Sequence, residues 1–252
     1  MKTVKTIAKH LTILASIFAT GAAEACTPYN NLKEATTPSA IVTSSDDKNF
    51  ESALDLLGGE ANFYLPDVSY PGETVLKDRI LHGFESAPPP RKLSNGMTIF
   101  WGFKYKEATY KSVAITDNNG NLCMIGAVTN VIPLLSIGST EPNSTNANEY
   151  NSLSKKYFIG PASIVLVVKN DRDLQTFLPI IKRWTQALLL SFTANCDEPA
   201  YKAACNASQE IKIPTYAYQV KFKNKKDMKS AELKELPVPN LPASSIPIKA
   251  FY

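Results

Sequence analysis

From Gly96 to about Asn130 the chain alternates in a way that only a β-meander satisfies, and this stretch constrains the fold more than any other. Ile99, Trp101, Phe103 and Tyr105 alternate with Thr98, Phe100, Gly102 and Lys104, which gives one strongly apolar, aromatic strand face. After a turn near residues 107–109, Lys111 to Thr116 is expected to pair with Leu122 to Val128. Asn119-Gly120 suits a tight hairpin turn with both central residues at positive φ. That register sets Ile115 opposite Met124, Val113 opposite Gly126 and Thr116 opposite Cys123.

Around the meander the spacing predicts helices. Phe50, Ala53, Leu54 and Leu57 recur at helical intervals, Asp46 or Asp47 can cap them, and Gly58-Gly59 ends the run. Phe63 to Tyr70 reads as extended around Pro66. Glu73 to His82 reads as a second helix stopped by Gly83, and Pro88-Pro89-Pro90 forces an extended connector. A further helix is expected around Glu149 to Lys156. Ser163 to Val168 is an apolar strand that turns at Asn170-Asp171 into the longest helix. Its apolar stripe is Leu174, Phe177, Leu178, Ile181, Trp184, Leu188 and Phe192, with Gln175, Lys182, Arg183 and Gln186 on the wet side. Pro179 should kink that helix or make it restart. Ile211 to Phe222 reads as another strand with a shift at Pro214, and from Leu236 four prolines should carry the chain extended over the surface.

These pieces make an α+β protein, an antiparallel strand meander with packed amphipathic helices, supported by disulfides. The expected organisation is a signal peptide over 1–25, a flexible polar arm over 26–47, an N-terminal α+β half over 48–135 and a polar linker over 136–157. A C-terminal half over 158–252 carries the long helix, a disulfide and the proline-rich tail.

The signal peptide rests on Lys2, Lys5 and Lys9 ahead of an uncharged run from Leu11 to Thr20, then the small-residue stretch that ends Ala23-Glu24-Ala25. The run is too short to cross a hydrocarbon core of about 30 Å as a helix. Cleavage there would leave Cys26 first, which raises the question of a lipid anchor on its sulfur. Glu24 departs from the Leu-small-small pattern that precedes a lipidated cysteine, which argues against one. Export implies oxidised cysteines. Cys196 and Cys205 lie close enough in sequence to pair and fasten the end of the long helix. Cys26 and Cys123 either bridge or leave Cys123 a buried thiol.

Composition narrows the function. Lysine and arginine number 27 against 23 acidic residues, and the leader takes three lysines and one glutamate with it, too even a balance for nucleic acid to be the expected partner. Beyond the leader no stretch is long and apolar enough to span a membrane as a helix, and of the two histidines, His10 falls in the leader and leaves only His82, so neither a zinc ligand set nor a histidine-based triad can be assembled. No cofactor is expected. Carboxylate candidates exist as Glu51 with Asp55, Glu73 with Asp78, and Asp171 with Asp173, each better explained by a helix cap or a solvated helix face. Asp117 to Asn121 lacks the alternating ligand spacing of a calcium loop.

Binding is therefore the expected role, with an exported hydrolase using unidentified carboxylates as the alternative. Two features can serve it: the run Lys221, Lys223, Lys225, Lys226 and Lys229, which would draw an envelope protein or anionic polymer, and the aromatics Trp101, Phe103 and Tyr105. An inhibitor or immunity-type protein is one such role. The two-faced aromatic strand has more apolar surface than one core side needs.

Overall fold

The computed structural model describes residues 26, 48–64, 73–136, 138–157, 160–224 and 227–252. The expected signal peptide and the rest of the expected 26–47 arm, with the candidate caps Asp46 and Asp47, lie outside the described residues, as do 65–70 of the segment expected to be extended around Pro66.

Helix α1 (Lys48–Leu56) precedes strands β1 (Asn62–Tyr64) and β2 (Glu73–Val75), which pair with each other, and helix α2 (Leu76–His82). Strands β3 (Arg91–Lys92), β4 (Thr98–Lys104), β5 (Glu107–Thr116) and β6 (Leu122–Thr129) form the meander. Helix α3 (Ala147–Tyr157) leads to β7 (Ser163–Val168), α4 (Asp171–Leu189), α5 (Lys202–Glu210), β8 (Thr215–Asn224) and β9 (Asp227–Leu236). All seven strands from β3 to β9 lie in one sheet in sequence order, antiparallel except for β7 with β8. A parallel pair needs a crossover, and α4 with α5 provides it. The order β6-β7 carries the sheet across residues 136–157, so the two halves of the chain share it.

Side chains alternate across a strand, and here each strand supplies two cores. Ile99, Trp101, Val113, Ile115 and Leu166 pack with Leu174, Leu178, Ile181 and Trp184 of α4. Phe100, Ala114, Ile125, Val165 and Val167 pack beneath Phe50, Leu54, Leu76, Ile80 and Phe84 of the α1–α2 layer. That is why β4 is aromatic on both faces, and why β6 and β7 are buried at every position. Among the described residues no helix is long and apolar enough to cross a membrane.

Several expectations change in detail. The hairpin keeps Ile115 opposite Met124 and Val113 opposite Gly126, but a bulge between Ile115 and Thr116 pairs Thr116 with Leu122 instead of Cys123. In the turn only Gly120 has positive φ, at 79°; Asp117 Oδ1 accepts from Asn119 N at 2.8 Å and Asn121 N at 2.9 Å, which builds a wider loop than a two-residue turn. Glu73 to Val75 is strand, because its β-branched pair Thr74-Val75 finds a partner in β1, and the helix starts only at Leu76. Helix α4 runs through Pro179 without restarting. Strand β8 starts only after Pro214, and β9, over a stretch to which the sequence pattern assigns no element, is a sheet edge.

The tail does more than run over the surface. Lys182 Nζ donates to Leu241 O at 2.6 Å, Arg183 Nε to Ser244 O at 2.8 Å, and Ser244 N to Pro179 O at 2.9 Å. Two residues expected on the wet side of α4 therefore hold the tail down, and Phe251 is completely buried in the main core.

The cysteines stand as two disulfides, Cys26–Cys123 and Cys196–Cys205. The bulge leaves both Cys123 and Met124 in the α4-side core, where Cys26 meets Cys123. A sulfur in a disulfide cannot also carry a thioether lipid. The second bridge joins the segment after α4 to α5.

Candidate functional site

Strand directions sort the loops into two ends of the sheet. The β3–β4, β5–β6 and β8–β9 turns share one end, and the β4–β5 turn shares the other with the starts of β7 and β8. The residues singled out in the sequence do not form one surface. Lys221 and Lys223 are exposed near the β8–β9 turn, where Lys223 is paired with Glu232. Lys225 and Lys226 lie outside the described residues, and Lys229 is placed only as backbone of β9. Trp101 is 5 % exposed and stacks on Phe192 with ring centres 5.0 Å apart, so it belongs to the core. Phe103 is half-buried opposite Lys111, and Tyr105, 67 % exposed, sits in the β4–β5 turn at the far end from the lysine run.

That far end contains the densest chemistry among the described residues. Arg79 of α2 is buried, with Nη1 donating to Lys111 O at 3.2 Å and Nη2 to Val128 O at 2.9 Å. Lys111 and Val128 are cross-strand partners, so the guanidinium straddles β5 and β6. Its carbon also lies 3.2 Å from the centre of the Tyr110 ring, a cation–π contact. Two glycines bring the helix end this close. A β-carbon on Gly83 would stand 2.0 Å from Ser112 Oγ, and one on Gly102 would stand 2.9 Å from Gly83 O, so α2 ends directly on the sheet. His82, in the last turn of α2, is exposed.

Among the described residues the site gathers the cations Arg79, Lys104, Lys106 and Lys111, with the carboxylates Glu85 and Glu107 at its rim. Burial pulls Arg79 down to about 10, against the pull of Tyr110 and Glu107. Burial, then the nearby Arg79, pulls Lys111 down to about 8. Burial raises Tyr110. At the rim, Lys104 Nζ donates to Glu107 Oε1 at 2.8 Å, which raises its pKa, and lies 5.5 Å from the Tyr110 ring. Tyr105 N donates to Glu85 Oε2 at 3.0 Å, and Lys106 Nζ is 5.4 Å from the Tyr105 ring. Three residues before Gly160, whose carbonyl accepts from Asn130 at this same end, Tyr157 is 62 % exposed with Lys156 Nζ 5.8 Å from its ring.

The carboxylate candidates do not converge. Asp173 is the only buried acid among the described residues; burial pushes it up to about 6, and its Oδ2 has no partner. Asp171 beside it is exposed and accepts from Gln175 Nε2. Asp55 instead joins Glu60 in holding Lys77, whose pKa they raise, and Asp78 is exposed. Asp117 lies with Cys26 and Cys123 at metal-ligand spacing, but the disulfide removes both thiolates and Asp117 already caps its turn.

Arg79 escaped sequence reasoning, although a signal was present: it falls three residues after Leu76 and next to Ile80, on the apolar side of a short helix. No protein-family model matches the chain, and no curated protein or solved structure is significantly similar to it.

Proposed function

We propose that this is an exported, non-catalytic interaction protein of the periplasm or extracellular space that binds an anionic envelope partner through the β4–β5 end of its sheet. The observation that carries this reading is the basic, tyrosine-bearing end of the sheet: Arg79 stacks on Tyr110, Lys106 Nζ lies 5.4 Å from the centre of the exposed Tyr105 ring, and Lys156 Nζ lies 5.8 Å from that of Tyr157. Clustered positive charge at a surface attracts and orients an anionic partner more than it contributes to stability.

Export is supported from a separate direction. The two disulfides fit an oxidising compartment, and the opening segment has the charged, apolar and small-residue regions of a cleaved leader. The role is that of a binder, such as an inhibitor or immunity-type protein acting on an envelope component.

The test is retention of acidic envelope material on the immobilised protein across a salt series. Retention is expected at low salt and should fall as ionic strength rises towards a Debye length of about 3 Å at 1 M. Equal retention by a variant carrying Lys104→Gln, Lys106→Gln and Lys156→Gln would count against this end of the sheet as the site.

A further inference from the structure

We infer that the anionic partner is an acidic polysaccharide, a polymer of sugars bearing carboxylate groups; this rests on the binding function proposed above and names its ligand class. All four cation–π contacts among the described residues lie at the β4–β5 end: Arg79 and Lys104 on Tyr110, Lys106 on Tyr105, and Lys156 on Tyr157. Among the described residues Tyr105 and Tyr157 are also the two most exposed large apolar side chains, at 67 % and 62 %. Each therefore presents ring surface to solvent with an ammonium group beside it.

That pairing matches one ligand chemistry. A sugar ring offers an apolar C–H face that lies flat on a tyrosine, while a carboxylate at its edge reaches the neighbouring lysine. An inorganic polyanion would use the lysines and leave the tyrosines idle. A protein partner of ordinary size needs a contiguous apolar centre, whereas the other exposed large apolar residues among those described, Leu56 at the end of α1 and Val238 in the tail, stand singly.

Spacing points to a polymer. Tyr105 follows the end of β4 and Tyr157 precedes β7 by six residues, and the ends of β4 and β7 are three inter-strand steps apart, about 14 Å. A ligand that reaches from one strand end to the other must be longer than a monosaccharide, which a chain of sugars lying along the end of the sheet is.

The experiment measures binding of the full exported chain to polygalacturonate, to inorganic polyphosphate of similar charge and to neutral dextran. Polygalacturonate should bind and dextran should not. The double variant Tyr105→Ala/Tyr157→Ala should weaken polygalacturonate binding about tenfold and change polyphosphate binding less than about twofold, since each lost exposed contact is worth a factor of about 2 to 5. Lys106→Gln/Lys156→Gln should weaken both. Both tyrosines are exposed, so these variants keep the fold. Equal losses for the two polyanions in the tyrosine variant would overturn the sugar assignment. Retention of an acidic protein but no polygalacturonate would overturn it while leaving the binding function standing; retention of no polyanion and no acidic protein at low salt would overturn both.

Discussion

Arg79 stacks on Tyr110 at 3.2 Å while its two terminal nitrogens hold the carbonyls of Lys111 and Val128, so one α2 side chain closes the end of the β5–β6 pair. Truncation would leave a cavity and two buried carbonyls without donors. Arg79→Ala should therefore cost about 3 kcal/mol or more in a urea melt. Arg79→Lys should recover only part of that, because a single ammonium cannot reproduce the planar fork. An alanine variant within about 0.5 kcal/mol of the parent would show that the carbonyls find other donors.

Gly83 and Ser112 are in mutual contact, with no space for a β-carbon between them. Gly83→Ala should destabilise by about 2 to 3 kcal/mol, the range for overpacking. Ser112 Oγ has no hydrogen-bond partner, so Ser112→Ala alone should be nearly neutral. Combining Gly83→Ala with Ser112→Gly should return part of the loss, giving a coupling energy above about 0.5 kcal/mol in a double-mutant cycle. Full recovery is not expected, since Ser112 N also lies 2.7 Å from the missing β-carbon.

The two disulfides should differ in worth. Cys26–Cys123 closes a sequence separation of 97 residues and Cys196–Cys205 one of 9. Loop-closure entropy then assigns about 4 to 5 kcal/mol to the first and about 2 to 3 kcal/mol to the second. Denaturant melts of Cys26→Ser/Cys123→Ser and Cys196→Ser/Cys205→Ser should fall in that order, and the reverse order would show that the second bridge holds more than its short loop.

Asp173 supplies a pH dependence. Burial raises its native pKa to about 6 from an ordinary 3.8, against the pull of Lys169 and Arg172. The native chain therefore binds more protons than the unfolded chain between about pH 4 and pH 6, and stability falls as pH rises through that window. The cost is fully present above about pH 6. Asp173→Asn should stabilise the protein by about 1 kcal/mol at pH 7.5, after allowing for solvent screening and lost helix-dipole attraction, with the gain gone near pH 4. A gain that persists unchanged at pH 4 would mean that ionisation is not its source.

Local periodicity was enough to reveal the meander, β7 and α4, because each is long and its pattern follows from packing on one sheet. It failed for β9, where Glu232, Lys234 and Glu235 are good helix formers and only pairing with β8 makes the segment a strand. It also failed for the tail, whose anchors are backbone carbonyls of Leu241 and Ser244, groups that every residue carries and no pattern marks. The aromatic surplus of β4 read as a surface because the α1–α2 layer that buries Phe100 comes from a separate part of the chain. The Arg79 cluster was hidden for the same reason: its parts lie 32 and 49 residues apart in sequence, and only the close approach of Gly83 to the sheet brings them together.

Cys123 is the second residue of β6, at the β5–β6 turn, so the bridge holds Cys26 at the opposite pole of the sheet from Tyr105. Opening that bridge with a reductant therefore acts at one pole, while the Arg79 contacts that shape the other pole contain no sulfur and are left in place.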